Sequence, residues 1–287
     1  MVELGSHGFQ ETDAHLLCYF DKTALDKQQL DRLKHDVKEL LKTISANAEV
    51  RLREFEEENW NSEWEKTIQP IEVGQKFVIK PSWSSYENKE NRIVIQIDPK
   101  MSFGTGYHET TRLVLRLLER YLVKNSTPQP PSLGFQEKGV SRPQAGRGMS
   151  SVLDVGTGTG ILAIAAIKLG AKSALGVDID DWSIENANEN IVANGVEQQI
   201  KISDLPITSI SGQIFDAITA NLTLNTNLEL LPVFHRLLAP NGMVFLSGLL
   251  ESDREAILRG LVSERFRITE ELRENEWIAV AATKANA

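Results

Sequence analysis

At 287 residues the chain is long enough for one large domain and a smaller companion. Hydrophobic residues at 41% and charged residues at 25% are ordinary for a globular chain, while a formal charge of −9 argues against a general phosphate-binding surface and leaves room for a basic protein partner. The start, Met1 to His7, has no signal-peptide pattern, no apolar run approaches a membrane span, and the single cysteine, Cys18, excludes an internal disulfide; a cytoplasmic protein is expected.

Residues 1–54 read as a small α+β unit. Leu16 to Phe20 is strand-like, with Cys18 a small core residue rather than a nucleophile. Leu30, Leu33, Val37, Leu40, Leu41 and Ile44 then recur at helical spacing, as a core face or, alternatively, a partner-binding face. Residues 55–75 read as a linker helix ending near Pro70, on which Trp60 and Trp64 share one side.

Residues 76–287 form the main domain, opening with strands at 76–80 and 92–97 and a helix over Glu109–Val123. The stretch 124–150, with four prolines and four glycines, reads as an exposed, disordered insertion without a role of its own. From Ser151 strands and helices alternate. Strands are expected near 151–155, 173–178, 199–203, 215–220, 242–247, 265–271 and 276–282, and helices near 160–169, 182–194, 226–238 and 251–262. The last two strands have no helix between them and predict an antiparallel hairpin around Arg273-Glu-Asn275. A mostly parallel, Rossmann-like seven-stranded sheet with such an edge is the α/β architecture of class I methyltransferases.

Val152-Leu-Asp-Val-Gly156-Thr-Gly158-Thr-Gly160 is a buried strand running into a glycine turn and a helix, and the next strand ends in Val177-Asp178. That order belongs to a nucleotide-binding α/β half. A dinucleotide fingerprint needs Gly-x-Gly-x-x-Gly, and here Ile161 stands where the third glycine would fall. Gly-x-Gly-x-Gly is the spacing of S-adenosylmethionine enzymes, in which backbone, not a pyrophosphate cradle, approaches the ligand.

Ligands in such sheets lie at the carboxyl ends of the strands, where strand order reverses. There Asp178 can accept both ribose hydroxyls; its alternative, a helix N-cap, suits Asp180 or Asp181 better. Asp204 accepts the adenine amino group or simply opens a turn. Asn221, after an apolar strand, sits beside the sulfonium. It is followed by Leu-Thr-Leu rather than the Pro-Pro-aromatic of base or glutamine amine methylases, which disfavours that class. Upstream, Phe103-Gly-Thr-Gly-Tyr-His108-Glu-Thr-Thr111 is a glycine-flexed loop entering a helix N-terminus, whose free backbone donors suit the carboxylate of the methionine moiety. No metal is expected.

Phe103 to Thr111, together with Asp154-Val-Gly-Thr-Gly-Thr-Gly-Ile-Leu-Ala-Ile-Ala-Ala166, closely resembles the ribosomal protein L-eleven methyltransferase (PrmA) family. Gly176-Val-Asp-Ile-Asp180, Ala220-Asn221-Leu, Leu246-Ser-Gly248, Trp60 and Trp64 before Pro70, and Pro81-Ser-Trp83 fall in the family's order. The resemblance implies cofactor contacts at Thr111, Gly156, Asp178 and Asn221, with Phe103 enclosing the cofactor. It implies methylation of lysine and α-amino groups of that ribosomal protein, with no direct nucleic acid or membrane partner. The family's substrate-recognition lobe opens with a strand and helix before a Gly-Phe segment. Leu4 to Thr12 matches the end of that helix, so a shortened lobe is expected. A methyltransferase for another protein or a small molecule, or a cofactor-binding module without activity, is the alternative.

Methyl transfer to an amine rests on alignment and exclusion of water. The acceptor must be neutral, and a neighbouring sulfonium favours that form. A dedicated base is therefore not required. His108, the only histidine near the expected site, is a base or, alternatively, a residue that positions the loop.

Overall fold

The computed structural model describes residues 8–11, 16–19, 27–43, 68–98, 100, 102–122 and 149–285. The chain divides into two compact units, Met1–Asn61 and Ser62–Ala287. In the first, β1 (Gly8–Glu11) and β2 (Leu16–Tyr19) pair antiparallel, with Phe9 opposite Cys18, and α1 (Lys27–Thr43) follows. The strand and helix of the sequence reading are both present. β1 was not expected, because Gly-Phe-Gln-Glu carries no run of β-branched residues to announce a strand. On α1, Leu33 is buried and Val37 half-buried. The side chains of Leu30, Leu40 and Leu41, and residues Ile44, Trp60 and Trp64, lie outside the described residues.

The second unit opens with β3 (Ile71–Val73), β4 (Phe77–Lys80) and β5 (Ile93–Gln96), a separate three-stranded sheet. Of the expected linker segment 55–75, residues 55–67 lie outside the described residues, and 71–73, past the helix end expected near Pro70, are a strand paired antiparallel with β4 around a tight turn. Gly74, at φ 59°, supplies the left-handed conformation of that turn. Three residues are too few to display an alternating pattern. β4 and β5 run parallel although no helix connects them. The intervening loop is held instead by Asn88, which exchanges hydrogen bonds of 2.7 and 2.8 Å with the Arg92 backbone, and by Asp98, which accepts from Ser82 N at 2.6 Å.

The main sheet has seven strands: β6 (Ser151–Val155), β7 (Ser173–Val177), β8 (Ile200–Ser203), β9 (Phe215–Asn221), β10 (Leu238–Leu250), β11 (Phe266–Glu274) and β12 (Trp277–Lys284). Their spatial order is β11-β12-β10-β9-β6-β7-β8, parallel throughout except that β12 runs against both neighbours. Between them lie α2 (Glu109–Leu122), α3 (Ile161–Lys168), α4 (Asp181–Ala193), α5 (Leu224–Leu237) and α6 (Arg254–Ser263).

Both sheet faces are covered. Val152, Ala174, Ala217, Phe245 and Ala281 share a core with α2, α3 and the small sheet, while Leu153, Ile218, Val244, Leu246 and Val280 pack with α5 and α6. That two-sided burial explains why the strands read as continuous apolar runs. α3 is buried at every position from Ile161 to Ile167, so its sequence is apolar all round rather than amphipathic.

Asn190 on α4 and Asn194 at its end hold the segment around β5 against the helix, with Asn186 bonded to Asn190. Asn194 pairs with both the N–H and C=O of Gln96, at 3.0 and 2.7 Å, as a neighbouring strand would. Asn190 accepts from Asp98 N at 3.2 Å and donates to Thr159 O at 3.0 Å and to Asn186 Oδ1 at 3.1 Å.

The expected insertion is shortened at its end. Met149 packs against the core and Ser150 N donates to Asp216 at 2.8 Å, so both belong to the fold; residues 123–148 lie outside the described residues. β10 is longer than expected because Leu238 already pairs with Phe215, before an irregularity around Asn241, which has φ 62°.

Candidate functional site

Strand order reverses between β6 and β9, so the chain leaves their carboxyl ends in opposite directions and a cleft opens there. The glycine turn after β6 is anchored to β7: Gly156 N and Thr157 N both donate to Val177 O, at 2.9 and 3.0 Å. Gly156 has φ 67°, and a Cβ on it would come within 2.6 Å of Leu222, which follows β9. Gly158, at φ 53°, faces the carbonyl oxygen of Phe103, which any Cβ would overlap. Gly160, at φ 80°, caps α3 against Ala187. All three glycines thus supply a left-handed backbone, and close approach of another segment's backbone adds a second requirement at Gly158.

Beneath the turn, Asp154 is fully buried. Thr157 and Thr219 donate to its two oxygens at 2.7 and 2.6 Å. Burial pushes its carboxyl up to about 6, against the pull of those two hydroxyls.

Asp178 was expected to offer its carboxylate to two hydroxyls of a ribose. It already accepts three backbone N–H groups: Gly158 on Oδ2 at 2.9 Å, and Ile179 and Asp180 on Oδ1 at 2.8 and 3.2 Å. A carboxylate offers about four acceptor positions, so one remains, on Oδ2. The same side chain therefore shapes the glycine turn and leaves one strong acceptor in the cleft. Its alternative role as a helix cap is filled by Asp180, which accepts from Ser183 N at 3.0 Å.

Asp204 is exposed beyond β8, and the turn there is made by Ser203 Oγ, which accepts from Leu205 N at 3.2 Å. Turn opening, one of the two readings of Asp204, is thus the work of its neighbour. The sequence reading missed the apolar side chains beside these acids: Ile179 is 87% exposed and Leu205 57% exposed, which leaves apolar surface on which a flat ring could lie. An apolar residue directly after a strand-terminal acid was the available signal.

The loop before α2 closes the third side. Phe103 O accepts from Thr159 N at 3.0 Å, and Gly104 O from Thr159 Oγ1 at 2.6 Å, so the loop is fastened to the glycine turn by its carbonyls. A cleft of about 360 Å³ is lined by residues 102–105 and 107–109. Phe103 remains 55% exposed; its ring centroid is 5.5 Å from that of His108, which meets Trp277 edge-on at 4.9 Å.

The α2 N-terminus, expected to offer free donors to a carboxylate, has two of its N–H groups engaged by its own side chains. His108 Nδ1 accepts from Thr110 N at 3.3 Å, and the Glu109 carboxylate folds onto its own backbone N–H, which holds it below the usual carboxylate range. An anionic guest would meet that ionised carboxylate.

Thr111 is buried on the first turn of α2, and its Oγ1 lies 3.4 Å from Asn221 Nδ2. Thr110 Oγ1 is closer to the same nitrogen, at 3.1 Å. Asn221 Oδ1 is buried with no partner. A buried acceptor without a donor is costly, and this one lies next to the cleft, where a ligand donor could meet it after a small movement. Asn227, which the sequence reading did not single out, holds the neighbouring loop: it is fully buried and donates to Leu222 O and Ser247 O at 2.8 and 3.1 Å.

The residues fit an adenosyl sulfonium: an open carboxylate position for a sugar hydroxyl, exposed apolar side chains for a purine, an unpartnered amide oxygen for a donor, and glycine turns admitting backbone contact.

The family model described as ribosomal protein L11 methyltransferase (PrmA) matches residues 3–285. A protein of Macrococcus caseolyticus (strain JCSC5402) described as ribosomal protein L11 methyltransferase is 32% identical over 285 residues, covering 99% of this chain and 84% of its own length. One of Chlorobaculum parvum with the same description is 34% identical, over 98% of this chain and 89% of its own. The crystal structure of ribosomal protein L11 methylase from Lactobacillus delbrueckii subsp. bulgaricus is 31% identical and superposes with a TM-score of 0.64, covering 76% of this chain and all of that one.

Proposed function

Since this chain belongs to the ribosomal protein L11 methyltransferase (PrmA) family, a class of S-adenosylmethionine-dependent enzymes with a Rossmann-like sheet, we propose that it methylates ribosomal protein L11 on lysine and α-amino groups. The observation that carries this reading is the meeting of two separate sequence segments: the Phe103–Thr111 loop is bonded through its carbonyls to Thr159 of the glycine turn, beside Asp178 and Asn221. Among the described residues no helix is long and apolar enough to cross a membrane. Action on a ribosomal protein suits a cytoplasmic location, and the first unit, by family resemblance, would recognise that protein.

S-adenosylmethionine, when bound, supplies a methyl group activated by its positive sulfur. Gly156, Gly158 and Gly160 bring the backbone close, the open Oδ2 position of Asp178 takes a sugar hydroxyl, and Ile179 offers its exposed face to the base. Thr111 and Thr110 hold the Asn221 amide, and Phe103 shields the cleft from water. The acceptor amine must shed its proton before it reacts. A lysine, with an ordinary pKa near 10.4, is about 0.04% neutral at pH 7, and an α-amino group near 7.7–8.0 roughly a tenth or more neutral. Among the described residues that line the cleft, neither Tyr107 nor His108 is a ready base. Burial pushes the Tyr107 hydroxyl up to about 12, so it stays protonated, and its O–H is spent on Gln69 O at 2.7 Å. The Nδ1 lone pair of His108 is occupied at Thr110. No dedicated base is needed if the proton leaves to water before transfer, and the site contributes alignment beside a cation.

The test is to incubate the protein with methyl-labelled S-adenosylmethionine and unmethylated ribosomal protein L11, then map the label by mass spectrometry. Label on lysine or α-amino nitrogens is expected. Binding of the cofactor without label on that protein would overturn the substrate assignment.

A further inference from the structure

We propose that His108 acts as a positioning residue that sets which end of the Asn221 amide faces the reacting groups. The inference rests on the functional reading above but begins from hydrogen-bond polarity. A backbone N–H can only donate, so the 3.3 Å contact from Thr110 N requires the His108 Nδ1 to be an acceptor, with the ring proton on Nε2. The second contact of that nitrogen, 2.9 Å to Thr110 Oγ1, must then also be a donation toward Nδ1. Thr110 Oγ1 has its hydrogen committed to the imidazole and can only accept from Asn221, at 3.1 Å, through the amide nitrogen. Polarity thus runs one way, from Asn221 Nδ2 through Thr110 to His108, and the carbonyl end of the amide is left over. That end, Oδ1, is buried without a partner, as is Oδ1 of Asn227, which follows β9.

The opposite ring tautomer would reverse every bond. A proton on Nδ1 would donate to Thr110 Oγ1, whose hydrogen would turn to the amide oxygen, presenting the NH2 of Asn221 to the cleft. A donor there would repel both an amine N–H and a sulfonium; an acceptor attracts them. The N–H of Thr110, the second residue of α2, therefore selects the chemistry of a side chain more than a hundred residues away in sequence. The imidazole itself is held between Phe103 and Trp277, with the Glu109 carboxylate 4.0 Å from Nδ1, and Arg112 is paired with Glu109 and Glu274 around it.

This assigns His108 a role opposite to that of a base, and substitutions separate the two. In His108→Asn the amide oxygen can still cap Thr110 N but cannot take a proton at neutral pH; in His108→Ala neither is possible. Thr110→Val keeps the cap and cuts the relay. Expected results are a fall in kcat of about fivefold or more for His108→Ala and for Thr110→Val, recovery to within about twofold in His108→Asn, and an unchanged pH profile in His108→Asn. In the wild-type protein, ¹⁵N NMR of the imidazole should show the Nε2-protonated tautomer. An Nδ1-protonated ring, or a His108→Asn variant as poor as His108→Ala with a shifted pH profile, would overturn the proposal. The tautomer signal, and the affinity of each variant for S-adenosylhomocysteine, are read without methyl transfer. A wrong protein substrate would therefore leave both readouts intact.

Discussion

Replacing Gly158 with alanine tests the architecture of the cleft with a single methyl group. Two costs can be worked out. At φ 53° an alanine sits in the left-handed region, which costs roughly 1–2 kcal/mol. The new Cβ would also overlap the Phe103 carbonyl, the acceptor of the 3.0 Å bond from Thr159 N; displacing it forfeits about 1 kcal/mol. The sum is about 2–3 kcal/mol of stability, or a fall in Tm on the order of 4–12 °C for a unit of this size. Because the displaced carbonyl belongs to the loop that carries Phe103 and His108, cofactor affinity should fall as well. Gly195 supplies the control: its φ is 65°, but a Cβ there meets nothing within 4 Å. Gly195→Ala should therefore lose only the strain, roughly 1–2 kcal/mol, and bind cofactor normally. Thermal denaturation and calorimetry with S-adenosylhomocysteine read both effects. Equal losses in the two variants, with affinity kept in both, would refute the close-approach argument.

Three further outcomes follow from particular contacts. Asp178→Ala should weaken S-adenosylhomocysteine binding by about 2–3 kcal/mol, roughly 30- to 150-fold, since it removes a charged acceptor; unchanged affinity in calorimetry would exclude the residue from the site. Asp154 has its folded pKa raised from 3.8 to about 6, so between those values the folded state holds a proton that the unfolded state has lost. Its contribution is complete below the unfolded pKa and is lost as pH rises through about 6, a swing of about 3 kcal/mol. The stability of Asp154→Asn relative to the parent should thus rise by about that much from pH 4 to 7 in urea titrations, and a flat difference would count against the shift. Asn194→Ala leaves the N–H and C=O of Gln96 without their side-chain partner, which costs about 1–3 kcal/mol and should speed hydrogen exchange at the Gln96 amide; protected exchange would show that the ladder is dispensable.

Much of this fold was readable because it is written in local pattern. Gly156, Gly158 and Gly160, the apolar strands and the strand-terminal Asp178 and Asn221 announce themselves through spacing, and the parallel sheet with its terminal hairpin followed from element order. What escaped were features set by partners distant in sequence. β3 is three residues long and exists because Phe77–Lys80 pairs with it. Nothing local marks the contacts of Asn190 on α4 and Asn194 at its end, which bond the backbone of Asp98 and Gln96. Within the site, the positions of Thr111, Asn221 and Phe103 were foreseeable, but the three backbone bonds on Asp178 were not. The side chains of His108 and Glu109 that engage the N-terminus of α2 were also hidden, because whether they turn inward depends on rotamers that no spacing encodes.

The most direct test of the central claim is a crystal structure of the protein with S-adenosylhomocysteine. The account predicts a ribose hydroxyl on Asp178 Oδ2, the purine against Ile179, and the oxygen of the Asn221 amide turned to the ligand's sulfur end. A nucleoside bound away from the glycine turn, or an Asn221 that presents its nitrogen to the ligand, would contradict it.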